Sequence, residues 1–182
     1  MSIDYAQIVE GCRRRDRQAQ RQLYDALAPK VLGVCVRYLH DLQEAQDVMQ
    51  DAFVLVFERI GQLRDPQRLE AWVRKVTVSL CLKHFRRQRL RMDLETVSVE
   101  PSEQPFDPFA ADEVVNALTK LPPQQRVVFN LVAVEGYDYT EAAKELRCSE
   151  VNVRALYSRA RHQLRELLTS NNDNNGNQSQ QL

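Results

Sequence analysis

Amide, guanidinium, hydroxyl and imidazole groups recur on one side of a segment near the C-terminus. The outward positions of this segment are Asn152, Arg154, Ala155, Ser158, Arg159 and His162, and the inward positions are Val153, Leu156, Tyr157 and Ala160. Arginine reads guanine edges through two parallel N–H groups, asparagine can bind adenine, and small residues let a helix approach the bases closely. The pattern predicts a DNA-reading surface, and an ordinary helical hairpin with a solvated arginine face is the alternative.

Two helices separated by a tight turn would position this surface. Asp138 and Glu141 have the spacing of a capping box, which predicts a short helix that ends at Leu146. A three-residue break follows, and Ser149 is a suitable N-cap for the longer helix beyond it. A short helix, a turn and a longer helix form a helix-turn-helix, in which the second helix enters the DNA major groove.

A second candidate surface combines carboxylates with surplus apolar side chains. Glu44, Asp47, Asp51 and Glu58 lie on the polar side of a predicted helix. The inner face of this helix has the i, i+3, i+4, i+7 spacing of an amphipathic helix, at Ala45, Val48, Met49, Ala52, Phe53, Val56 and Ile60. Because the run 53–57 is apolar on more than one side, the helix is suited to docking a basic partner. A centrally buried helix would have a similar pattern.

Basic residues follow on the next predicted helix. Residues 71–91 contain seven Lys or Arg and no acid. Leu69, Val73, Val76 and Leu80 give this helix an apolar stripe, and positions 75, 79, 83 and 86 share one polar face. The alternation over 76–82 also fits a strand, but no turn residues bound it, so a helix is predicted. Trp72 lies at the seam between stripe and polar face, where an indole ring can stack on an unpaired base or fill the core.

The charge distribution divides the chain. Lys and Arg together number 25, as do Asp and Glu, so the formal net charge is zero. The basic segment is followed at once by 92–113, which has seven acids, no base and three of the seven prolines. Proline and like-charge repulsion oppose a helix, so 92–112 is predicted to be an extended linker. We therefore expect one domain over 1–91, a second over 113–168 and a disordered Asn/Gln-rich tail over 169–182.

Several function classes are disfavoured by what the sequence lacks. The longest apolar run has six residues and the N-terminus has no basic, apolar leader, so we expect no membrane insertion and a cytoplasmic protein. The four cysteines are far apart, and Cys81 with His84 has no second ligand pair, so neither disulfides nor a metal site is expected. Nucleophile-elbow, zinc-protease and phosphate-loop motifs do not occur, so we expect neither an enzyme nor a cofactor.

Taken together, these segments resemble the extracytoplasmic-function (group IV) sigma factors of the sigma-70 family. Residues 44–53 are similar to the signature of region 2.2, and 71–76 with 85–87 are similar to the helix of regions 2.3–2.4. Three segments of the second half resemble region 4. Residues 121–126 are similar to its L-P-x-x-x-R opening, residues 135–143 are similar to the turn that follows, and residues 153–161 are similar to its recognition helix. The resemblance covers nearly everything from 15 to 168, in the family's order.

The resemblance implies an all-α fold of two small helical domains joined by a flexible linker, and an alternative sigma factor that directs core RNA polymerase to specific promoters. The residues implied to bind the clamp coiled coil of the polymerase β′ subunit are Asp47, Gln50, Asp51 and Val54. Those implied to read and open the −10 element are Arg64, Arg68, Trp72, Lys75, Ser79, Lys83, Arg86 and Arg87. Those implied to read the −35 element, on a helix that also faces the β flap, are Asn152, Arg154, Ala155, Ser158, Arg159, Arg161 and His162.

The implied partners are core RNA polymerase, promoter DNA and an anti-sigma factor. Two other classes of protein remain open on the residues alone. A stand-alone helix-turn-helix regulator, whose N-terminal domain senses a ligand or dimerises, predicts tight duplex binding without polymerase. A helical adaptor that binds only proteins predicts that Arg154 and Arg159 are dispensable.

Overall fold

The computed structural model describes residues 4–39, 41–94 and 113–178. Over these residues the chain forms eight α-helices and no strand, so the predicted all-α fold is confirmed. The helices belong to two compact units, one within Met1–Glu95 and the other within Thr96–Leu182. Within the described ranges, no helix combines the length and apolar character that crossing a membrane requires.

The first unit contains helices α1 (Tyr5–Arg13), α2 (Arg17–Tyr38), α3 (Leu42–Arg59) and α4 (Leu69–Leu94). Asp4, Asp16 and Asp41 cap α1, α2 and α3, because each carboxylate accepts a backbone N–H of the first turn. These amides have no partner within the helix, and such a cap stabilises it by about 1 kcal/mol. Two 3₁₀ turns, Ile60–Gln62 and Pro66–Arg68, connect α3 to α4.

The core of the first unit lies where α2, α3 and α4 pack together. Every residue of the predicted α3 stripe is buried. The predicted α4 stripe is partly wrong, because Val76 and Leu80 are half-buried whereas Val78, Cys81 and Leu82 are fully buried. Since α4 packs against both α2 and α3, its buried face is centred between these two neighbours rather than on one stripe.

The second unit contains α5 (Glu113–Thr119), α6 (Pro123–Phe129), α7 (Tyr139–Leu146) and α8 (Glu150–Gln178), with a π-helical turn at Asn130–Val134. Its core includes a cluster formed by Ala117, Leu118, Leu121, Ala160 and Leu164. This cluster joins α5 to α8, which also contacts α6 and α7. The predicted inner face of α8 therefore contributes to the core of the second unit, through Ala160.

Two predicted boundaries differ from the structure. Helix α4 continues to Leu94, three residues into the predicted linker, and the rest of that linker lies outside the described residues. Helix α8 continues to Gln178, through most of the segment predicted to be disordered. Residues 169–178 contain no proline, and extending an existing helix adds one hydrogen bond for each residue that is fixed. An Asn/Gln-rich composition therefore did not end the helix.

The four cysteines are free thiols. Cys12, Cys35 and Cys81 are buried, and Cys148 is half-buried. Burial raises the pKa of Cys12 to about 11, with a smaller contribution from the nearby Asp16 carboxylate. The Cys12 thiol therefore stays protonated at neutral pH and acts as a small apolar side chain.

Candidate functional site

The polar side of α3 is an exposed face formed by Asp47, Gln50, Asp51 and Val54. Their spacing of three or four residues places them along about two turns of one side. Val54 is apolar, yet 57% of it is exposed. Its neighbour Phe53 packs against Tyr24 of α2, whose ring centroid is 4.6 Å away and which is 38% exposed. The α3 face thus combines carboxylates with accessible apolar surface.

Glu44 does not belong to the α3 face. Its Oε1 accepts a hydrogen bond from Nε2 of Gln88 at 2.6 Å, and its Oε2 lies 3.4 Å from Nε2 of His84. Both partners are on α4, so Glu44 connects α3 to α4. Glu44, one of the acids predicted on the polar side of α3, is thus also a contact between two helices of the first unit.

Helix α4 exposes Lys75, Ser79, Lys83 and Arg87 in a row of i, i+4 spacing. Such a row of cations and a hydroxyl is suited to binding successive phosphates of a nucleic-acid backbone. Two further predicted residues, Trp72 and Arg86, are half-buried beside this row. A half-buried indole both packs against its own unit and keeps part of its surface for stacking.

The loop before α4 holds the remaining predicted −10 residues. Arg64 and Arg68 are exposed, and Nε of Arg68 lies 3.6 Å from Oδ2 of Asp65. Asp65 also caps the turn, because its Oδ1 accepts the backbone N–H of Gln67 at 3.0 Å. The loop therefore presents two guanidinium groups next to the N-terminal end of α4, where Trp72 lies.

Glu70 fixes the position of this end of α4. Its carboxylate accepts hydrogen bonds from the Tyr5 hydroxyl on α1 and, at 2.7 Å, from Nζ of Lys30 on α2. The hydrogen bond from the Lys30 ammonium, and then that from Tyr5, holds the pKa of Glu70 below its ordinary value. One ionised carboxylate thus connects three helices two residues before Trp72.

The helix-turn-helix geometry is confirmed. Oδ1 of Asp138 accepts the backbone N–H of Glu141 at 2.7 Å, and Oε2 of Glu141 accepts the backbone N–H of Asp138 at 2.9 Å, which completes the capping box. Arg147 ends α7 in the left-handed conformation, with φ of 53°. Oγ of Ser149 accepts the backbone N–H of Asn152 at 3.2 Å, so Ser149 caps the N-terminus of α8.

Most predicted −35 residues lie on the exposed side of α8. The exposed ones are Asn152, Arg154, Ser158, Arg159, Arg161 and His162, whereas Ala155 is half-buried. The inward residues Val153, Leu156 and Ala160 are buried, as predicted, and Tyr157 is half-buried. Helical spacing divides the exposed set into one flank with Asn152 and Arg159 and another with Arg154, Ser158 and Arg161.

Arg154 is held by two residues that the sequence analysis did not single out. Its Nε and Nη2 donate to Oε1 of Glu150 at 2.9 and 2.6 Å, and its guanidinium carbon lies 4.5 Å from the ring centroid of Tyr139. The i, i+4 spacing of Glu150 and Arg154 could have indicated the first contact. The second depends on the packing of α7 against α8, for which the sequence carries no local signal.

Arg161 and His162, two other basic residues of α8, make longer contacts than Arg154 does. The guanidinium carbon of Arg161 lies 5.8 Å from the ring centroid of Tyr157, and Nε2 of His162 lies 3.5 Å from Oε1 of Glu166. No group of three or more potential metal ligands occurs within the ranges that the structure describes. The chemistry that these surfaces support is binding through charge, hydrogen bonds and stacking.

Comparison with known proteins gives two family matches in the chain. Residues 23–91 match the family model Sigma-70 region 2, and residues 111–164 match Sigma-70, region 4. The RNA polymerase sigma-H factor of Pseudomonas aeruginosa is 28% identical over 178 residues, which cover 89% of this chain and 92% of that protein. The ECF RNA polymerase sigma factor SigE of Mycolicibacterium smegmatis is 31% identical over 150 residues, 78% of this chain and 58% of that protein.

Among solved structures, the co-crystal structure of the sigma factor RpoE with the anti-sigma factor NepR from Bartonella quintana matches with a TM-score of 0.49 and 22% identity, over 82% of this chain and 96% of that chain. Region 2 precedes region 4 in this chain, which is also the order of the sequence motifs, and together the two matches span most of the chain. The chain therefore belongs to the sigma-70 family of RNA polymerase sigma factors and is an alternative sigma factor of the extracytoplasmic-function type.

Proposed function

We propose that this sigma factor uses three separate surfaces to bring core RNA polymerase to a promoter. The α3 face binds polymerase, α4 with the preceding loop reads and opens the −10 element, and α8 reads the −35 element. The observation that carries the proposal is that the predicted residues of each set are exposed, apart from Trp72, Arg86 and Ala155, which are half-buried. Side chains must be exposed in order to contact a macromolecule, so this exposure is a condition that each proposed surface has to meet.

The polymerase contact rests on the chemistry of the α3 face. Asp47 and Asp51 supply negative charge, Gln50 supplies an amide, and Val54 supplies apolar surface. Interfaces of this kind combine an apolar centre with charged groups that guide and orient the partner. We assign this face to the clamp coiled coil of the β′ subunit, and the outer side of α8 to the β flap.

The DNA contacts rest on the two basic helices. The row on α4 binds phosphates of the −10 strands while Trp72 stacks on a base that has left the duplex, and polymerase contacts offset the unstacking cost of a few kcal/mol. Helix α8 enters the major groove of the −35 element, as the second helix of a helix-turn-helix does.

The compartment and the regulatory partner follow from this function. Because polymerase and promoter DNA are in the cytoplasm of a bacterium, we assign the chain to the cytoplasm. We also assign it an anti-sigma factor that competes with polymerase for the α3 face. Such a partner would compete with polymerase in a pull-down assay, and the Asp47 and Asp51 variants described below would weaken both complexes.

Reconstitution with core polymerase tests the proposal. The purified chain is mixed with core enzyme, isolated by gel filtration and assayed by run-off transcription on a promoter library. We expect a stable complex and transcription that depends on the −10 and −35 sequences. A chain that binds duplex tightly without polymerase would instead be a stand-alone regulator, and one with no DNA dependence would be an adaptor.

Charge reversal on the α3 face tests the docking residues. The double variant Asp47→Lys and Asp51→Lys should lower affinity for core polymerase by at least about tenfold, because like charges across an interface cost several kcal/mol. Both side chains are exposed, so the unfolding temperature should change little. Glu10→Lys reverses an exposed acid on α1, outside the three proposed surfaces, and serves as the control. Unchanged affinity of the double variant would show that polymerase binds another face.

A further inference from the structure

Glu150 connects the two helices of the helix-turn-helix. Its Oε2 accepts a hydrogen bond from Oγ1 of Thr140 on α7 at 3.0 Å. Its Oε1 accepts both Nε and Nη2 of Arg154, at 2.9 and 2.6 Å. The guanidinium of Arg154 also lies against the Tyr139 ring, 4.5 Å from its centroid. Glu150 therefore restrains Arg154 along one edge, while Tyr139 supports it from one face.

The guanidinium of Arg154 has a second edge, formed by Nη1 and Nη2, that can bind a ligand. Arginine carries five N–H donors in a rigid planar fork, and Glu150 occupies those on the edge formed by Nε and Nη2. The Nη1 group and the remaining N–H of Nη2 form another pair of parallel donors. The side chain is 59% exposed and lies in the second turn of α8. Two parallel donors match O6 and N7 of guanine in the major groove.

We infer that Glu150 is a positioning residue that determines specificity, because it holds Arg154 against Tyr139 and aims the free edge of the guanidinium at a guanine of the −35 element. The inference rests on the proposed function of α8. An arginine that is oriented before binding loses less freedom on binding than a mobile one. The carboxylate also opposes the approach of a phosphate to Arg154, which favours a base edge over the backbone.

The carboxylate is ionised under the conditions in which this contact would form. Its hydrogen bond from Arg154, and then that from Thr140, holds the pKa of Glu150 below its ordinary value, although Asp138 acts in the opposite direction. Glu150 also lies in the first turn of α8, where a negative charge is favourable. Both effects keep the pair with Arg154 intact at neutral pH.

Preference measurements on holoenzymes test the inference. Core polymerase is reconstituted with the wild-type chain, Glu150→Gln, Glu150→Asp, Arg154→Ala or the double variant Glu150→Gln/Arg154→Ala, and each holoenzyme selects sequences from a promoter library randomised over −35. Glu150→Gln and Arg154→Ala should each reduce preference for guanine at the same one or two positions, by about tenfold. The double variant should lose no more than Arg154→Ala alone, because both changes remove the same contact.

Two further variants separate positioning from charge. Glu150→Asp keeps the charge but is too short to hold Arg154 in the same place, so it should reduce the preference as Glu150→Gln does. Glu10→Gln removes an exposed acid from α1, an element with no proposed DNA contact, and it should leave the preference unchanged. Thermal unfolding of each free chain checks that the variants are folded.

Three results would overturn the inference. Glu150→Gln could raise affinity for all sequences alike without changing the preferred one, which would show that the carboxylate only repels phosphates. Glu150→Asp could behave as the wild type, which would show that charge rather than position matters. Arg154→Ala could keep the guanine preference, which would assign that preference to another residue. A wild-type holoenzyme with no −35 preference would instead contradict the proposed function itself.

Discussion

The arginine side chains of α8 differ in how strongly other residues of the chain restrain them in the absence of DNA. Arg154 is restrained by Glu150 and Tyr139, whereas Arg161 lies at the larger distance of 5.8 Å from the Tyr157 ring. Arg159 is exposed on the opposite flank, beside Asn152. The contacts with Glu150 and Tyr139 suit Arg154 to reading one base edge, whereas Arg161 has room to follow the phosphate backbone.

Replacing Arg159 and Arg161 should separate base reading from phosphate binding. Arg159→Ala should cost about 1–3 kcal/mol and relax the preference at one or two −35 positions, because a bidentate base contact is lost. Arg161→Ala should weaken all promoters alike and lower the slope of log affinity against log salt concentration by about 0.9. Holoenzyme selection from a −35 library at several salt concentrations measures both. If Arg159→Ala keeps the preferred sequence, Asn152 becomes the candidate reader on that flank.

Trp72 has two possible roles, and its half-burial allows both. Trp72→Ala should reduce opening of the −10 element more than −35 binding, since stacking on a base contributes about 1–3 kcal/mol. Trp72→Phe keeps an aromatic face and should restore much of the opening. Permanganate reactivity of thymines near −10 is the measurement, with the unfolding temperature as the control. A sharp fall in that temperature with normal opening would show that the indole only fills the core.

At the scale of elements, α1 is held to its neighbours by close backbone approach as well as by the Tyr5–Glu70 contact. Gly11 lies so near α2 that a Cβ at this position would be 2.5 Å from Cβ of Ala19. In α2 itself, a Cβ at Gly33 would meet nothing within 4 Å. The two glycines are both in helices, but only the first is required by packing.

These two glycines provide a matched pair of stability variants. Gly11→Ala should destabilise the first unit by about 1–3 kcal/mol, because the Ala19 methyl group cannot move aside without shifting α2. Gly33→Ala should stabilise it by up to about 1 kcal/mol, because alanine has the higher helix propensity. Urea unfolding followed by circular dichroism measures both. A stabilising effect of Gly11→Ala would show that α1 and α2 do not need a glycine at this contact.

At the scale of the whole molecule, basic and acidic residues are concentrated in different segments, 71–91 and 92–113, and cancel only over the whole chain. Its 25 basic and 25 acidic residues cancel, so the free chain has no net attraction for DNA at long range. The basic residues of α4 and α8 are nevertheless concentrated on accessible faces. We therefore expect strong binding to DNA only when a partner brings both helices to the duplex.

The free chain should accordingly bind promoter duplex weakly and without sequence preference, and the holoenzyme should bind it specifically. Fluorescence anisotropy of a labelled promoter, titrated with the free chain and with holoenzyme, measures the difference. A scrambled duplex is the control for sequence preference. Nanomolar, sequence-specific binding by the free chain would contradict this expectation and favour a stand-alone regulator.

The sequence by itself determined that both units are helical, that Asp138 and Ser149 cap the two helices of the helix-turn-helix, and which face of α3 is buried. Capping depends on residues three apart, as with Asp138 and Glu141, and a stripe such as that of α3 repeats within one helix. Both signals are local, so they can be read without knowing what packs against the helix. The motif order that identified the family is also a property of the chain alone.

The tertiary structure decided which neighbour each helix face meets. It centred the buried face of α4 on Val78 and Cys81 instead of Val76, turned Glu44 towards α4, and brought Tyr139 onto Arg154. These outcomes depend on contacts between residues far apart in the chain, which arise when helices choose partners to bury the most apolar surface.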